Sequence, residues 1–354
     1  MEHNIIRQRE VGIDIVKLGA AIVVLSIHTY LFKDLSNIVY SLWHIAVSSA
    51  AVPFFFILSG YFLGRKLTKK KVEEVCVNIK NNRMHLIKCY CIWACWYSIL
   101  YFIWDVLNGK NIIVSFVKHA ISFCIGSPDT IMWYVATAAV GLLIFQKILM
   151  CRYSKKVFIS AICMAIILYV FSFYWHNLPN EKSILVSLKN VYDYFMPSER
   201  VFFFRLNWLF IGIFCGWILN IDLEKEKLLG KRDITGVACC VVSLLLVFKY
   251  GFREDSVYVC VLTMVWYVTF ALLLIKVGYL LSHWFHFDKN KTNYGNIATG
   301  IYFLHATVIQ FYDIIVMKSG IRTDRTVEFI LCLFVTVFAV DCISNNKKIF
   351  KAIF

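Results

Sequence analysis

With 354 residues, 60% of them hydrophobic and only 4 prolines, the chain is too apolar for a soluble domain, in which roughly half of the residues are apolar. Runs of nearly twenty apolar residues recur along it, the length that crosses a bilayer. The net charge of +15 would suit nucleic acid, but the basic residues fall in short segments between the apolar runs, the pattern of topology determinants and lipid contacts. The partner it implies is the lipid bilayer, and nucleic acid is discounted.

Taking runs of about 17 to 25 apolar residues as spans predicts an all-α polytopic membrane protein of about ten transmembrane helices. They fall near residues 11–32, 38–63, 86–107, 131–150, 157–175, 201–220, 234–250, 257–281, 294–316 and 326–343. The first run carries charges and lacks a small-residue cleavage site, so it reads as a retained span. Arg65, Lys66, Lys69, Lys70, Lys71, Arg83, Arg152 and Lys155 gather on one side with both termini. The opposite segments are poorer in Lys and Arg, which predicts that both termini are cytosolic.

The first predicted span, Ile13 to Tyr30, contains Asp14, Lys17 and His28, and ionisable groups inside a span mark function by default because they are costly there. Lys17 and His28 are 11 residues apart. On a helix that spacing puts them within roughly 20° of one face and ~16 Å apart along the axis. Asp14, Ala21 and Leu25 fall near the same stripe. The spacing also fits a snorkelling Lys17 and a satisfied His28 at opposite headgroup levels.

Next comes PFFFILSGYFLGRK, residues 53–66, where Ser59, Gly60 and Gly64 have helix-packing spacing and let a helix or a ligand approach the backbone. The connection 65–88 is the most basic part of the chain. Its lysines read as cytosolic anchors, while Arg83, closest to the third span, is expected to bind an anionic ligand through charge-assisted hydrogen bonds. Residues 108–130 and 176–200 read as the longest external loops and as candidate walls of a substrate cleft, with Tyr174, Trp175, Tyr192 and Tyr194 as rings for stacking on sugars. Trp133 and Tyr134 open the fourth span, Arg205 starts the sixth, and Tyr302 and His305 lie within the ninth. Arg205 and His305 each need a polar partner or a water-filled cavity, so a polar interior is predicted. Most of the 13 cysteines lie inside apolar runs, and neither a CxxC pair nor an HxxxH pair occurs. No disulfide framework and no metal site is expected.

In their order and placement these motifs resemble the acyltransferase-3 family of integral membrane O-acyltransferases, which modify cell-envelope and exported glycans. That family's Arg, ten residues and His in the first span correspond to Lys17 and His28, with Lys in place of Arg. Its Phe-Phe-x-x-Ser-Gly-Tyr stretch corresponds to Phe55, Phe56, Ser59, Gly60 and Tyr61. Its Arg before the third span corresponds to Arg83, its Trp-Phe/Tyr pair to Trp133 and Tyr134, and its late Tyr-x-x-His to Tyr302 and His305.

The resemblance implies a multi-pass enzyme of the bacterial plasma membrane that takes an acyl group from cytosolic acyl-CoA, foremost acetyl-CoA, without a metal. The acceptor it implies is a hydroxyl of a glycan on the exterior side. Lys17, Ser59, Tyr61, Arg83 and Arg205 would bind the donor, and His28, as general base or acyl carrier, would act with Asp14 and His305. Lysine at position 17 keeps the family's charge and loses the bidentate fork. The family also includes the membrane halves of serine racemases linked to vancomycin resistance. That kinship implies an alternative, transport of a small solute such as serine, with Asp14 and Lys17 on its charged groups and His28 or His305 relaying protons.

Overall fold

The computed structural model describes residues 10–127, 130–176, 186–187, 190, 205–224, 231–250, 257–285, 293–320 and 324–354. In chain order its helices are α1 (Val11–His28), α2 (Asn37–Trp43), α3 (Ser49–Lys69), α4 (Val72–Leu107), α5 (Ile112–Cys124), α6 (Trp133–Leu149) and α7 (Ser154–His176). They continue with α8 (Leu206–Trp217), α9 (Lys231–Tyr250), α10 (Val257–Trp284), α11 (Tyr294–Ser319), α12 (Arg325–Ser344) and α13 (Lys347–Ile353). A π-helical turn, His44–Ser48, joins α2 to α3. Among the described residues the regular structure is all helical, as the composition predicts. Seven segments are long and apolar enough to cross a membrane, namely α1, the α2–α3 stretch, α4, α7, α10, α11 and α12. The apolar helices α6 and α8 and the apolar stretch Ile234–Lys249 of α9 are shorter, and they fall on the remaining predicted runs.

Two predicted connections are helical instead. Residues 108–130, read as an external loop, contain α5, whose start is capped by the Asn111 side chain accepting from the Ile113 and Val114 N–H groups at 2.9 and 3.2 Å. Ser115, His119 and Ser122 are buried on one face of α5, while Ile112, Ile113, Val114, Phe116 and Val117 are exposed. At 13 residues it is too short to span, and it folds back along α4, with His119 on Asp105 and Phe123 on Tyr90. The basic connection 65–88 is likewise mostly helix, because α4 has 36 residues. That is ~54 Å of helix against ~30 Å of hydrocarbon, more than a span needs, and Val75 and Ile79 in its first turns are fully buried in the main core. The second expected wall of a cleft, residues 176–200, lies almost wholly outside the described residues, as do Tyr192, Tyr194 and the Tyr174 side chain.

Small residues set the closest helix crossings. A Cβ on Gly60 would stand 2.2 Å from the Leu209 oxygen, and one on Gly212 would stand 2.3 Å from the Ile57 oxygen. Gly64 and Gly216 repeat the contact one turn further on, so α3 and α8 run parallel along a glycine seam. At the start of α1, a Cβ on Gly12 would stand 2.0 Å from the Gly278 oxygen of α10. On the other side of α1, Ala21 and Leu25 pack against Ala298 and Ile301 of α11. Lys17, Arg65, Lys69 and Arg83 mark one end of the bundle, called the basic end below. His28 and Arg205 mark the far end.

Candidate functional site

The packing of α1 on α11 determines which side chains meet. Ala21, Leu25 and His28 are spaced four and three apart, and Ala298, Ile301 and His305 three and four apart, so each set forms one helix stripe. Because the first two members of each stripe are in contact, the third members are brought together: the His28 and His305 rings lie 5.1 Å apart between centroids. His305 Nδ1 is 2.9 Å from the Ile301 oxygen. A carbonyl only accepts, so Nδ1 carries the hydrogen and Nε2 keeps its lone pair. That Nε2 is fully buried and makes no hydrogen bond. A buried acceptor left open costs free energy, which marks a place where a donor belongs.

Around this pair lies a ring of aromatic side chains from α3, α6 and α11. Tyr302 is 6.3 Å from His305 and 5.4 Å from Tyr134, and Tyr134 is 6.4 Å from Phe55. The Tyr302 hydroxyl donates to the Ile131 oxygen at 2.6 Å, which holds its ring in place. His28, Phe55, Tyr134 and Tyr302 are only half-buried, and Ser59, in the middle of α3, is exposed although Ile57, Leu58, Gly60 and Tyr61 beside it are buried. Ser59 adjoins the Tyr134 hydroxyl. The accessible surface on side chains that converge from four helices leaves open space among them, next to the buried His305.

At the basic end the cations differ in how they are neutralised. Lys17 Nζ lies 3.3 Å from Asp14 Oδ1, one turn earlier on α1. Arg65 is held by Asp222 at 2.5 Å and Asn220 at 2.7 Å, and Lys69 by Glu224 at 3.2 Å. Arg83 instead donates to a neutral group, Gln146 Oε1, at 2.8 Å. Gln146 is oriented in turn by its amide, which donates to the Cys76 oxygen at 3.4 Å. Arg83 is thus paired with a neutral amide where Arg65 and Lys69 are paired with carboxylates. Gln146 and Tyr134 are both on α6, 12 residues apart, so Arg83 stands ~18 Å along the axis from the aromatic ring around the histidines.

The acyltransferase-3 family model, described as an acyltransferase domain, matches residues 10–344. The chain belongs to the acyltransferase-3 family. This acyltransferase-3 chain is also similar to an amino-acid racemase of Enterococcus faecalis, with 23% identity over 349 residues. The match takes in 97% of the chain and 47% of the racemase, so the chain spans about half the length of this curated relative. No solved structure matches it.

Two residues expected at the donor site of this acyltransferase-3 protein stand apart from Arg83. Tyr61 is fully buried, and its hydroxyl donates to the Ile221 oxygen at 3.2 Å and accepts from the Leu223 N–H at 3.1 Å. Both hydrogen-bonding roles are taken by the loop that follows α8. Arg205 precedes α8 at the far end, its guanidinium 5.1 Å over the Tyr169 ring, the length of the bundle from Arg83. Two residues the sequence reading passed over also matter. Gln146 orients Arg83, and Lys276, fully buried in α10, reaches the Leu223 oxygen at 3.4 Å. Lys276 is a lone charge in an apolar run, a signal the sequence did offer, whereas Gln146 sits beside Lys147 and carries none.

Proposed function

We propose that this acyltransferase-3 protein carries an acyl group, foremost acetyl, from cytosolic acyl-CoA to a hydroxyl of an envelope glycan on the other side of a bacterial plasma membrane. The observation that carries this reading is the histidine pair, with the open Nε2 of His305, beside the accessible Ser59 and Tyr134, on the same helix as the Gln146 that holds Arg83. The Lys/Arg bias of the loops makes the basic end cytosolic. The donor's phosphates rest on Arg83 and Lys17, the latter held by Asp14, and its pantetheine arm runs up the open space past Ser59 and Tyr134. The thioester carbonyl then sits beside His28. His28 takes the proton of the acceptor hydroxyl as its oxygen attacks the carbonyl carbon, the C–S bond breaks, and the imidazolium returns the proton to the departing thiolate. In the reacting complex the open His305 Nε2 is placed to accept an N–H of His28 as the rings adjust, leaving the other nitrogen of His28 to act as base. Tyr61 acts in this scheme as a support of the α8 loop, and Arg205 faces the acceptor.

The test is transfer of label from radiolabelled acetyl-CoA to envelope material in membranes holding the wild type or His28→Ala. General-base catalysis is worth ~10²–10⁴-fold, so a loss of that size is expected with the protein still inserted. Wild-type turnover by His28→Ala would remove this role.

A second reading, movement of a small amino acid, is favoured by the similarity to an amino-acid racemase across about half of its length. In it the Asp14–Lys17 pair meets the ammonium and carboxylate of the solute. Serine uptake by proteoliposomes no faster than by empty liposomes would eliminate serine as cargo.

A further inference from the structure

A second concave surface lies where α5 folds back along α4, away from the histidine pair. It is a groove of about 630 Å³, within the size range of ligand sites. One wall is Ile99, Phe102 and Ile103 of α4, the other is Phe116 and Phe123 of α5, and His119 lies between them. Phe102 and Phe116 meet edge to face, 6.3 Å between centroids. Ile99 is 49% and Phe116 64% exposed, whereas Trp93, Tyr97 and Leu100, on the other face of α4, are buried in the bundle. The groove therefore opens outward.

The rim of this groove is polar on one side only. Asp105, buried near the end of α4, has Lys110 Nζ 2.7 Å from its Oδ1 and His119 Nε2 3.1 Å from its Oδ2. One carboxylate thus serves two bases and ties α5 to α4. The Tyr101 ring backs His119 at 6.4 Å. Lys110 nevertheless keeps a side chain 56% exposed. An ammonium has three N–H donors and Asp105 engages one, so the others meet whatever lies at that surface. Depth follows from helix rise: counted from Arg83, Cys95 stands ~18 Å and Asp105 ~33 Å along α4. The groove thus occupies the half of a ~30 Å hydrocarbon layer away from the basic end, and Lys110 stands at the headgroup level of that leaflet.

From this placement we infer that the groove between α4 and α5 is a binding site for an anionic phospholipid of the far-end leaflet. One acyl chain lies between the two helices, over His119, and the headgroup phosphate takes the N–H donors of Lys110. The occupant must be apolar along the ~15 Å from Cys95 to Asp105 and anionic at one end, because the groove meets hydrocarbon along its length and a cation only at its rim. A phosphate on a hydrocarbon chain is that molecule, and a charge-assisted hydrogen bond fixes which end of the groove it enters. The inference is independent of the acyl-donor reading, since none of the residues assigned to the donor lines the groove.

The experiment titrates dioleoyl phosphatidylglycerol into the full chain, purified in detergent and stripped of lipid. Cys95 and Cys124 line the groove and are exposed, so their alkylation by N-ethylmaleimide, read peptide by peptide in a mass spectrometer, reports its occupancy. Cys163, exposed on α7, reports lipid that only coats the protein. With lipid at ten times its midpoint about a tenth of the sites stay open, so both groove cysteines are expected to react about tenfold more slowly while Cys163 is little changed. Inorganic phosphate alone should protect neither, and dioleoylglycerol, which lacks the phosphate, should need about tenfold more or beyond to protect them. Lys110→Glu should raise the phosphatidylglycerol midpoint by about tenfold or more. Ala120→Trp, which puts an indole into the groove, should abolish the dependence on lipid. Equal protection of Cys163 and the groove cysteines, or none at all, overturns the site, as does an unchanged midpoint in Lys110→Glu. Should Ala120→Trp fail to fold, Lys110→Glu, a surface change, decides alone.

Discussion

The two faces of α3 are built from neighbouring residues to opposite ends. Gly60, Gly64 and their partners Gly212 and Gly216 bring two backbones into contact along α8, with no room even for a methyl group. One residue before Gly60, Ser59 looks into open space beside Tyr134. A Ser-Gly pair thus divides a close-packed seam from a face open beside Tyr134, because consecutive residues on a helix point about 100° apart. The contrast teaches that a motif of small residues is not one signal but two, and that only position around the helix separates them.

The strongest test of this contrast is on the seam. Gly212→Leu would drive a side chain into the Ile57 backbone, and loss of a monodisperse, folded peak in size-exclusion chromatography is expected. The next largest effect is on the open side, where the two histidines act as a unit. There His28→Ala and His305→Ala should each lower the acyl-transfer rate steeply, and the double variant should cost scarcely more than His28→Ala. Full additivity in a double-mutant cycle would mean that the rings work separately.

Arg83→Gln comes third. Removing a charge-assisted contact costs ~1.5–3 kcal/mol, so a weakening of donor binding by roughly 10- to 150-fold is expected, with kcat for bound donor little changed. A kcat defect at unchanged affinity would place Arg83 in the chemistry instead. The smallest effects separate neighbours. Gly60→Ala should lower stability by about 1–3 kcal/mol, as overpacking does, whereas Ser59→Ala, which gives up one hydrogen bond to Tyr134 and meets no packed neighbour, should cost no more than ~1 kcal/mol. Thermal unfolding of the two in one detergent decides it, and equal melting temperatures would erase the distinction between the faces.

Much of this was legible before any coordinates. Length and apolarity locate the helices because a span must satisfy every backbone group internally and so takes a minimum length. The spacing of Lys17 and His28 gives their shared face, since helix geometry is fixed. The partnership of His28 with His305 was not readable from either alone, as it depends on Ala21 and Leu25 meeting Ala298 and Ile301 across helices far apart in sequence. α5 escaped because a short amphipathic helix that folds back along its neighbour has neither the length of a span nor the polarity of a loop. Tyr61 and Arg205 look like donor contacts in the sequence, where charge and hydroxyl are visible. Which end of the bundle they occupy, and what already engages them, belongs to the fold.

The most direct single measurement is hydrolysis of acetyl-CoA by the purified protein in nanodiscs, with wild type, His28→Ala and Arg83→Ala compared at saturating and limiting donor. The proposal expects His28→Ala to bind acetyl-CoA normally and hydrolyse it no faster than buffer, and Arg83→Ala to hydrolyse near the wild-type rate only when donor is raised well above the wild-type requirement. Hydrolysis unchanged by His28→Ala, or a wild type that neither binds nor cleaves acetyl-CoA, would contradict it.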